Sequence, residues 1–393
     1  MITRWRVSNS LRRLLPVRSF SDARRLILGV ESSCDDSCAA VVSNQGDILS
    51  SFQQSQEIQN QENRGVIPSV AAKTHHAALP IVVRRVLEKS PPIDAVALTI
   101  GPGIAPCLGE GLSFAQSFCK QNRLPLILVN HMEGHAMAAT MKNDVPFPTI
   151  AFLVSGGNTE TLLCKDSEHP FLKLGNTLDD ACGECMDKVF RYIYENAHLF
   201  PPGSVVKHGG AQLSAWASQY KEDMNQMDPT GAWMKRNRIL FPTPLSKRKD
   251  GDFSFSGLKT HSIRYLEKEI QAGHFDHAEA IRFSFYFERA VVNHLIRKLD
   301  FAITRVPSVR SICCGGGVMS NQLLQQQIRE LGGKHHLSVF IPPREVCTDN
   351  AIMIAWRGQQ LFEQGRNIIP YDQVDRVRYN DKLDFDLYSN DRV

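Results

Sequence analysis

No stretch of eighteen uninterrupted apolar residues occurs in the 393-residue chain. No segment therefore has the length and apolarity of a membrane-crossing helix, and no membrane insertion is expected. The ten cysteines are scattered, without the spacing of a small secreted disulfide scaffold, which fits a reducing compartment. Cys182 and Cys185 form a single CxxC with no second pair or nearby histidine to complete a zinc site, so they read as packing thiols. The phosphate-loop pattern GxxxxGKS/T and the dinucleotide pattern GxGxxG are both missing. Acidic residues are missing from the first 21 positions, which hold five arginines interleaved with Leu11, Leu14, Leu15, Val17 and Phe20. That composition predicts a mitochondrial transit peptide over 1–21, ending near Phe20 or Ser21, with a basic nucleic-acid-binding arm as the alternative. Without it the 45 Lys and Arg fall by five to 40 against 41 acids, about −1, so net charge does not mark the mature chain as an RNA binder.

What is present begins with His131-Met-Glu-Gly-His135 and, more than two hundred residues on, Cys347-Thr-Asp349-Asn350. On a helix the two imidazoles stand four residues apart on one face, where they can share a divalent cation, and Asp349 can add an oxygen ligand. Two structural histidines at this spacing are the alternative. The zinc-protease pattern HExxH puts its base directly after the first histidine. Here that position is Met132, and Glu133 points roughly 200° around the helix from His131, so the peptidase reading lacks its base.

Three glycine-rich turns accompany these residues. Leu26 to Val42 reads as strand, polar turn and returning strand, with Asp35 and Asp36 in the turn, and Ile150 to Leu163 repeats the design around Ser155, Gly156 and Gly157. Such turns offer backbone N–H groups to phosphate oxygens. The third, Gly315-Gly316-Gly317, joins a strand to a helix expected to begin near Asn321, and its lack of side chains would let a ring or ribose approach the backbone. Two hairpin turns, one at the start of each half, predict an α/β protein with a duplicated two-lobed fold and a central cleft. The length suits two cores. The expected organisation is an N-terminal lobe over 26–145, a C-terminal lobe with helical insertions over 148–370 and a polar tail over 371–393, with Met141–Pro148 as the joint. Lys221–Asp252 reads as a surface insertion. Its basic clusters, Lys235, Arg236 and Arg238, then Lys247, Arg248 and Lys249, either track RNA phosphate or form a solvated loop face. Phe285 to Ile296 reads as a helix packed by its apolar side.

Over about residues 26–365 the chain resembles the universal tRNA threonylcarbamoyladenosine transferase family, of the sugar kinase/actin/heat-shock-protein superfamily, and within it the mitochondrial members. The resemblance rests on Gly29-Val-Glu-Ser-Ser-Cys-Asp-Asp, Gly101-Pro-Gly103, His131–His135, Ser155-Gly-Gly-Asn-Thr, Asp179-Asp-Ala-Cys-Gly-Glu-Cys-Met-Asp187-Lys188, Phe253-Ser-Phe-Ser-Gly-Leu-Lys-Thr260, Gly315-Gly-Gly-Val and Cys347-Thr-Asp-Asn. It implies a two-lobed actin-like ATPase fold. It also implies metal ligands His131, His135 and Asp349, holding one divalent ion per subunit, Zn²⁺ or Fe²⁺, with Mg²⁺ a further option beside nucleotide. Leu153, Val154, Ser155, Gly156, Gly157, Asp187, Gly203 and Asn321 match nucleotide-contacting positions, and Asp35 and Asp36 match the catalytic turn. Taken from its own surroundings, Asp187 follows a helical segment and either accepts a ribose hydroxyl or pairs with Lys188 or Arg191.

The implied reaction moves the threonylcarbamoyl group of L-threonylcarbamoyl-AMP, supplied by a separate synthase, to the N6 amine of adenosine 37 in mitochondrial tRNAs reading ANN codons. Two departures stand out: Ser69 replaces a frequent family glutamate, and Asp36 replaces a frequent glutamate with one methylene less reach. The mitochondrial likeness also implies a self-sufficient homodimer in the mitochondrion. Val70, Ala71, Ala78 and Val82 are available either to a second copy or to the core. A phosphotransferase of the same superfamily, needing neither histidine, and a nucleotide-responsive scaffold without turnover are the alternative functions.

Overall fold

The structure is a computed structural model that describes residues 24–56, 66–166, 171–201, 209–220 and 241–385. The expected transit peptide over 1–21, Gly203, and the Lys235, Arg236 and Arg238 cluster lie outside the described residues.

Five strands dominate the first part of the chain: β1 (Leu26–Glu31), β2 (Ser37–Ser43), β3 (Ile48–Gln54), β4 (Ala95–Gly101) and β5 (Leu126–Asn130). β1, β2 and β4 are buried along their whole length, as expected of apolar runs covered on both faces. The order is β5-β4-β1-β2-β3, with β1–β2 and β2–β3 antiparallel and β1–β4 and β4–β5 parallel. Helix α1 (Pro68–Leu87) links β3 to β4, and α2 (Ala105–Asn122) links β4 to β5. Both start with proline in the first turn, where the missing N–H costs nothing. Helix α3 (His131–Ala138) follows β5 directly.

The second sheet repeats the first. β6 (Thr149–Val154), β7 (Thr159–Cys164), β8 (Leu172–Asn176), β9 (Ser311–Gly315) and β10 (Ser338–Phe340) stand in the order β10-β9-β6-β7-β8. β6–β7 and β7–β8 are antiparallel, whereas β6–β9 and β9–β10 are parallel. The same strand order with the same directions is the expected duplication. Between β8 and β9 come α4 (Cys182–Asn196), α5 (Gly209–Ala217), α6 (Ser256–Gln271) and α7 (His277–Arg305). α7 is opened by Asp276, whose side chain accepts the N–H of Glu279. It contains the predicted Phe285–Ile296 helix. Its buried face, including Phe283 and Phe287, packs in the core of this unit with Phe152, Phe253 and Phe255. Each such ring contributes roughly 1.5–3 kcal/mol by leaving water. α8 (Gln322–Lys334) precedes β10, and α9 (Ala351–Glu363) leads to a short edge strand, β11 (Ile368–Ile369), antiparallel to β5.

Contacts divide the chain into one unit of Met1–Gly134 with Asn350–Leu383 and another of His135–Asp349 with Asp384–Val393. The expected joint lies at 141–148, with everything from 148 to 370 in the second lobe. The difference comes from α9, which lies on the first sheet. A side chain at Gly29 of β1 would strike the Ala351 carbonyl and the Ala355 amide, and one at Gly358 of α9 would strike Ala97 of β4. Two glycines thus let the helix approach the sheet closely. Arg25 donates to Gln359 at 2.8 Å, and buried Arg357 pairs with Glu133 at 2.8 Å. Part of the expected polar tail also packs here: Asn380 donates to the Ile100 carbonyl at 2.8 Å, and Val374 and Leu383 are buried.

On α1, Ala71, Ala78 and Val82 are core residues of the first unit, and of the four residues available to a second copy or to the core only Val70 is exposed. The helix sits against β2 and β3, and its spacing of small and branched residues serves that sheet.

In the second unit, burial, with Arg297 and Lys298 nearby, pushes the imidazole of His294 down to about 3. The neutral ring accepts the Ser254 N–H at 3.3 Å. An unfolded histidine titrates near 6.5, so between about 6.5 and 3 the unfolded chain takes a proton that the native state refuses. Stability from this site is full above that window and is lost as pH falls through it. Thermal unfolding from pH 7 to pH 4 should fall more steeply in the wild type than in His294→Gln, which keeps an acceptor but does not titrate. Parallel slopes would refute this.

Candidate metal centre and nucleotide loops

The α3 helix begins at the end of β5, where the Asn130 side chain accepts the N–H groups of Met132 at 2.8 Å and Glu133 at 3.3 Å. This cap fixes His131 in the first turn, and one turn on the same face stands His135, as the spacing predicts. His135 Nε2 lies 3.0 Å from Asp349 Oδ1. One donor atom from each of His131, His135 and Asp349 lies within 4.8 Å of the others. Two ligands about 2.1 Å from one ion stand roughly 3.0–3.4 Å apart, so the His135–Asp349 separation suits a shared ion. Both histidines are buried, while the Asp349 side chain remains 34% exposed. Two imidazoles and a carboxylate suit Zn²⁺ or Fe²⁺.

Glu133, the only acid inside the HxxxH segment, is bound to Arg357 Nε and Nη2 at 2.8 Å each. It is therefore held as one half of a buried ion pair, and the peptidase alternative loses the acid it could have borrowed.

The first turn is held from several sides within its own unit. Ile104 donates its N–H to the Ser33 carbonyl at 2.7 Å, and Gly103 is packed so closely on Ser33 that a side chain there would collide with it. His75 of α1, fully buried, donates from Nε2 to the Cys34 carbonyl at 3.0 Å and accepts the Ser37 hydroxyl at Nδ1 at 2.7 Å. The tautomer follows from the carbonyl, which can only accept. Asp35 and Asp36 sit half-buried between these anchors, and Gln53 donates to Asp36.

In the second turn, Ser155 donates its N–H to the Asn158 carbonyl at 2.8 Å, and Asn158 returns its N–H to Ser155 Oγ at 3.0 Å. The carbonyls of Ser155 and Gly156 accept the N–H groups of Gly183 and Glu184, each at 3.1 Å. The loop therefore caps the N-terminus of α4. A methyl on Gly183 would lie 2.8 Å from Gly156 Cα and the Ser155 carbonyl, whereas one on Gly156 or Gly157 would meet open space. Leu153 and Val154 are buried in β6, so a ligand could reach them only through backbone atoms.

The glycines of the third turn serve packing more than ligand access. A side chain on Gly316, at φ 92°, would meet the Val154 carbonyl, and one on Gly315 would come within 3.0 Å of the His135 carbonyl. Only Gly317 is comparatively open, with its nearest neighbour, Thr348 Cγ2, at 3.6 Å. The expected helix does begin after Asn321, which is its cap: Oδ1 accepts the Leu324 N–H at 2.8 Å. The Asn321 amide donates to Ser214 Oγ at 2.8 Å and to Glu288 Oε1 at 2.5 Å. Both donors of that amide are thus committed to the protein.

Asp187 lies inside α4, not after a helix, and accepts the N–H of Gly210 at 2.8 Å in the first turn of α5. Lys188, its suggested partner, pairs with Asp180 at 2.9 Å and Glu184 at 2.6 Å. Cys182 and Cys185 are fully buried free thiols, as expected of packing residues. Arg248 pairs with Asp250 and Asp252, which neutralises part of the second basic cluster and leaves Lys247 and Lys249 exposed.

In the sequence Asp179 stands only as one letter of a motif. Its carboxylate accepts the hydroxyls of Ser254 and Ser256 at 2.6 Å each and the Phe255 N–H at 2.7 Å, which ties the second motif, Phe253–Thr260, to the first. Burial alone would raise its pKa, but these bonds outweigh burial and hold it below the usual carboxylate range.

The family model described as TsaD, tRNA N6-adenosine threonylcarbamoyltransferase, matches residues 47–356. The mitochondrial tRNA N6-adenosine threonylcarbamoyltransferase of Danio rerio is 33% identical over 94% of this chain and 91% of its own. The Zymomonas mobilis tRNA N6-adenosine threonylcarbamoyltransferase is also 33% identical, over 86% of this chain and 87% of its own. Among solved structures, HypF of T. kodakarensis aligns with a TM-score of 0.50 over 88% of this chain and 50% of its own at 13% identity, a likeness of fold alone. With the duplicated strand order and a match that runs through both units, the chain belongs to the tRNA N6-adenosine threonylcarbamoyltransferase family.

Proposed function

We propose that this enzyme transfers the threonylcarbamoyl group of L-threonylcarbamoyl-AMP to the N6 amine of adenosine 37 in tRNAs that read ANN codons, forming N6-threonylcarbamoyladenosine and releasing AMP. The observation that carries the reading is family membership over most of the chain. The grouped donors of His131, His135 and Asp349 agree with it.

In this reading the amine nitrogen bonds to the carbamoyl carbon, the bond from that carbon to the phosphate oxygen breaks, and the amine loses one proton. The Ser155–Gly157 loop directs carbonyls into α4, and its exposed glycines leave room for the adenylate to approach the backbone. Asp187, bonded to the first turn of α5, would accept a ribose hydroxyl; family likeness adds Gly203 and Asn321, and Asn321, its side chain committed to Ser214, Glu288 and the α8 cap, acts by shaping the start of α8. Asp35 and Asp36 orient the intermediate from the first turn. A divalent ion held by His131, His135 and Asp349, Zn²⁺ or Fe²⁺, would neutralise negative charge on the phosphate or carboxylate.

The reading extends to a mitochondrial enzyme that works as a homodimer with a separate synthase supplying the intermediate. Its support is the likeness to the Danio rerio mitochondrial relative and the five-arginine, acid-free start of the chain. Purified protein with threonine, bicarbonate, ATP, the synthase and unmodified tRNA should yield the modified nucleoside only when both proteins are present. Light scattering on the active sample should give twice the chain mass, and protein recovered from mitochondria should begin near Ser21. A folded, metal-loaded enzyme that leaves cognate tRNA unmodified would defeat the reading; a fully active monomer, or cytosolic protein starting at Met1, would defeat its extensions.

A further inference from the structure

Glu31 is the last residue of β1 and is 1% exposed, an acid at the end of a strand otherwise made of Leu, Ile, Gly and Val. A buried carboxylate is stable only where donors surround it. Three groups from separate elements of the first unit meet it. The Ser33 N–H of the first turn reaches Oε1 at 2.5 Å, and the Thr99 hydroxyl of β4 reaches Oε2 at 2.5 Å. His131 Nδ1 of α3 lies 2.9 Å from the same Oε2, with Ser33 Oγ 3.2 Å from that nitrogen.

We propose that Glu31 is the positioning residue of the metal centre: it holds His131 with the proton on Nδ1, so that the bare Nε2 faces the ion, and ties that ring to the turn carrying Asp35 and Asp36. The proposal rests on the metal reading above. A carboxylate oxygen accepts but does not donate, so an imidazole nitrogen bonded to it must carry hydrogen. In a neutral ring the other nitrogen is then a lone pair, the form a metal requires. Because the other oxygen of the same carboxylate holds the Ser33 amide, ring orientation and turn geometry are set by one group. The sequence offers Glu31 only as a letter of the opening motif.

Glu31→Gln keeps the volume but offers one oxygen where the carboxylate offered two, and adds an NH₂ donor among three donors. In metal-free protein with ¹⁵N-labelled histidine, the wild type should show His131 as the Nδ1–H tautomer, and Glu31→Gln should show a mixture. Zn²⁺ affinity, read by competition with a chromogenic chelator, should fall about 10–100-fold in the variant. Thr99→Val, which removes a hydroxyl from the same oxygen but leaves the His131 bond, should keep the tautomer and lose less than about threefold. If Glu31→Gln does not fold, Glu31→Asp serves, with the tautomer retained but affinity reduced by its shorter reach. An unchanged tautomer and unchanged affinity in Glu31→Gln would overturn the proposal, as would equal losses in Glu31→Gln and Thr99→Val. If the wild type takes up no Zn²⁺, the metal reading fails, and a pure Nδ1–H signal that persists in metal-free Glu31→Gln would still refute the positioning role.

Discussion

Replacing His131 and His135 together with alanine should abolish stoichiometric divalent metal binding and lower threonylcarbamoyl transfer on the order of 100-fold or more. Two of the three grouped donors disappear, and Asp349, 34% exposed at its side chain, is left as a single oxygen ligand with little hold on an ion. The fold should survive. Alanine is the strongest helix former, so α3 gains some tenths of a kcal/mol of intrinsic propensity at each position, while the cap from Asn130 is untouched. The loss of two buried rings works against this and should lower the melting temperature modestly. Metal analysis beside circular dichroism reads both parts. A folded double variant with wild-type metal content and rate would remove these residues from the ligand set. Chelator treatment of the wild type should reproduce the loss, and readdition of Zn²⁺ or Fe²⁺ should reverse it.

Gly183→Ala should weaken use of the adenylate about 10–100-fold while leaving the protein folded. The position is interior to the first turn of α4, where alanine is intrinsically better than glycine by about 0.8–1.0 kcal/mol, so helix propensity predicts a gain. The added methyl, however, would lie 2.8 Å from Gly156 Cα and from the Ser155 carbonyl. Both contacts are backbone, so the Ser155–Gly157 loop must move off the helix and stretch its bonds to Gly183 and Glu184. The outcome should be a higher KM for L-threonylcarbamoyl-AMP with little change in KM for tRNA. An unchanged KM for the adenylate would show that the loop does not position it. Gly157→Ala, whose methyl meets no protein atom within 4 Å, separates collision with the helix from collision with a ligand: it should alter adenylate KM without altering the melting temperature.

The candidate metal group was legible because a helical period of four and a distant Cys-Thr-Asp are patterns of residue type, and such patterns are visible in the sequence itself. The two hairpin turns were legible for the same reason, since alternation and glycine mark them locally. What could not be read was anything set by close approach across the chain. Gly29 and Gly358 look like ordinary glycines until α9 is seen lying on β1 and β4, and that docking is why the segment after Asn350 joins the first unit. Ala71, Ala78 and Val82 form an apolar stripe that suits a partner or a sheet equally well, and the sheet takes it. Asn321 was matched to ligand binding by motif, yet its amide bonds are spent on Ser214, Glu288 and the α8 cap. Glu31 went unremarked because one carboxylate ending an apolar strand carries no periodic signal; its meaning comes only from the three donors that tertiary structure gathers around it.

The late position of α9 in the chain bears on how the molecule is made. During synthesis the first sheet can pair its strands as soon as β5 leaves the ribosome, but the helix that covers β1 and β4 lies roughly 200 residues further on, tens of seconds later at ordinary elongation rates. Until then Ile27, Gly29 and Ala97 lack that cover, and Arg25 and Glu133 lack Gln359 and Arg357. A nascent chain stalled before Ala351 is thus a half-closed sheet with apolar surface showing, the kind of species that chaperones bind and proteases clear. Asp349 emerges only at the end of that interval. The three candidate donors are therefore not all present until the helix that closes the first unit follows.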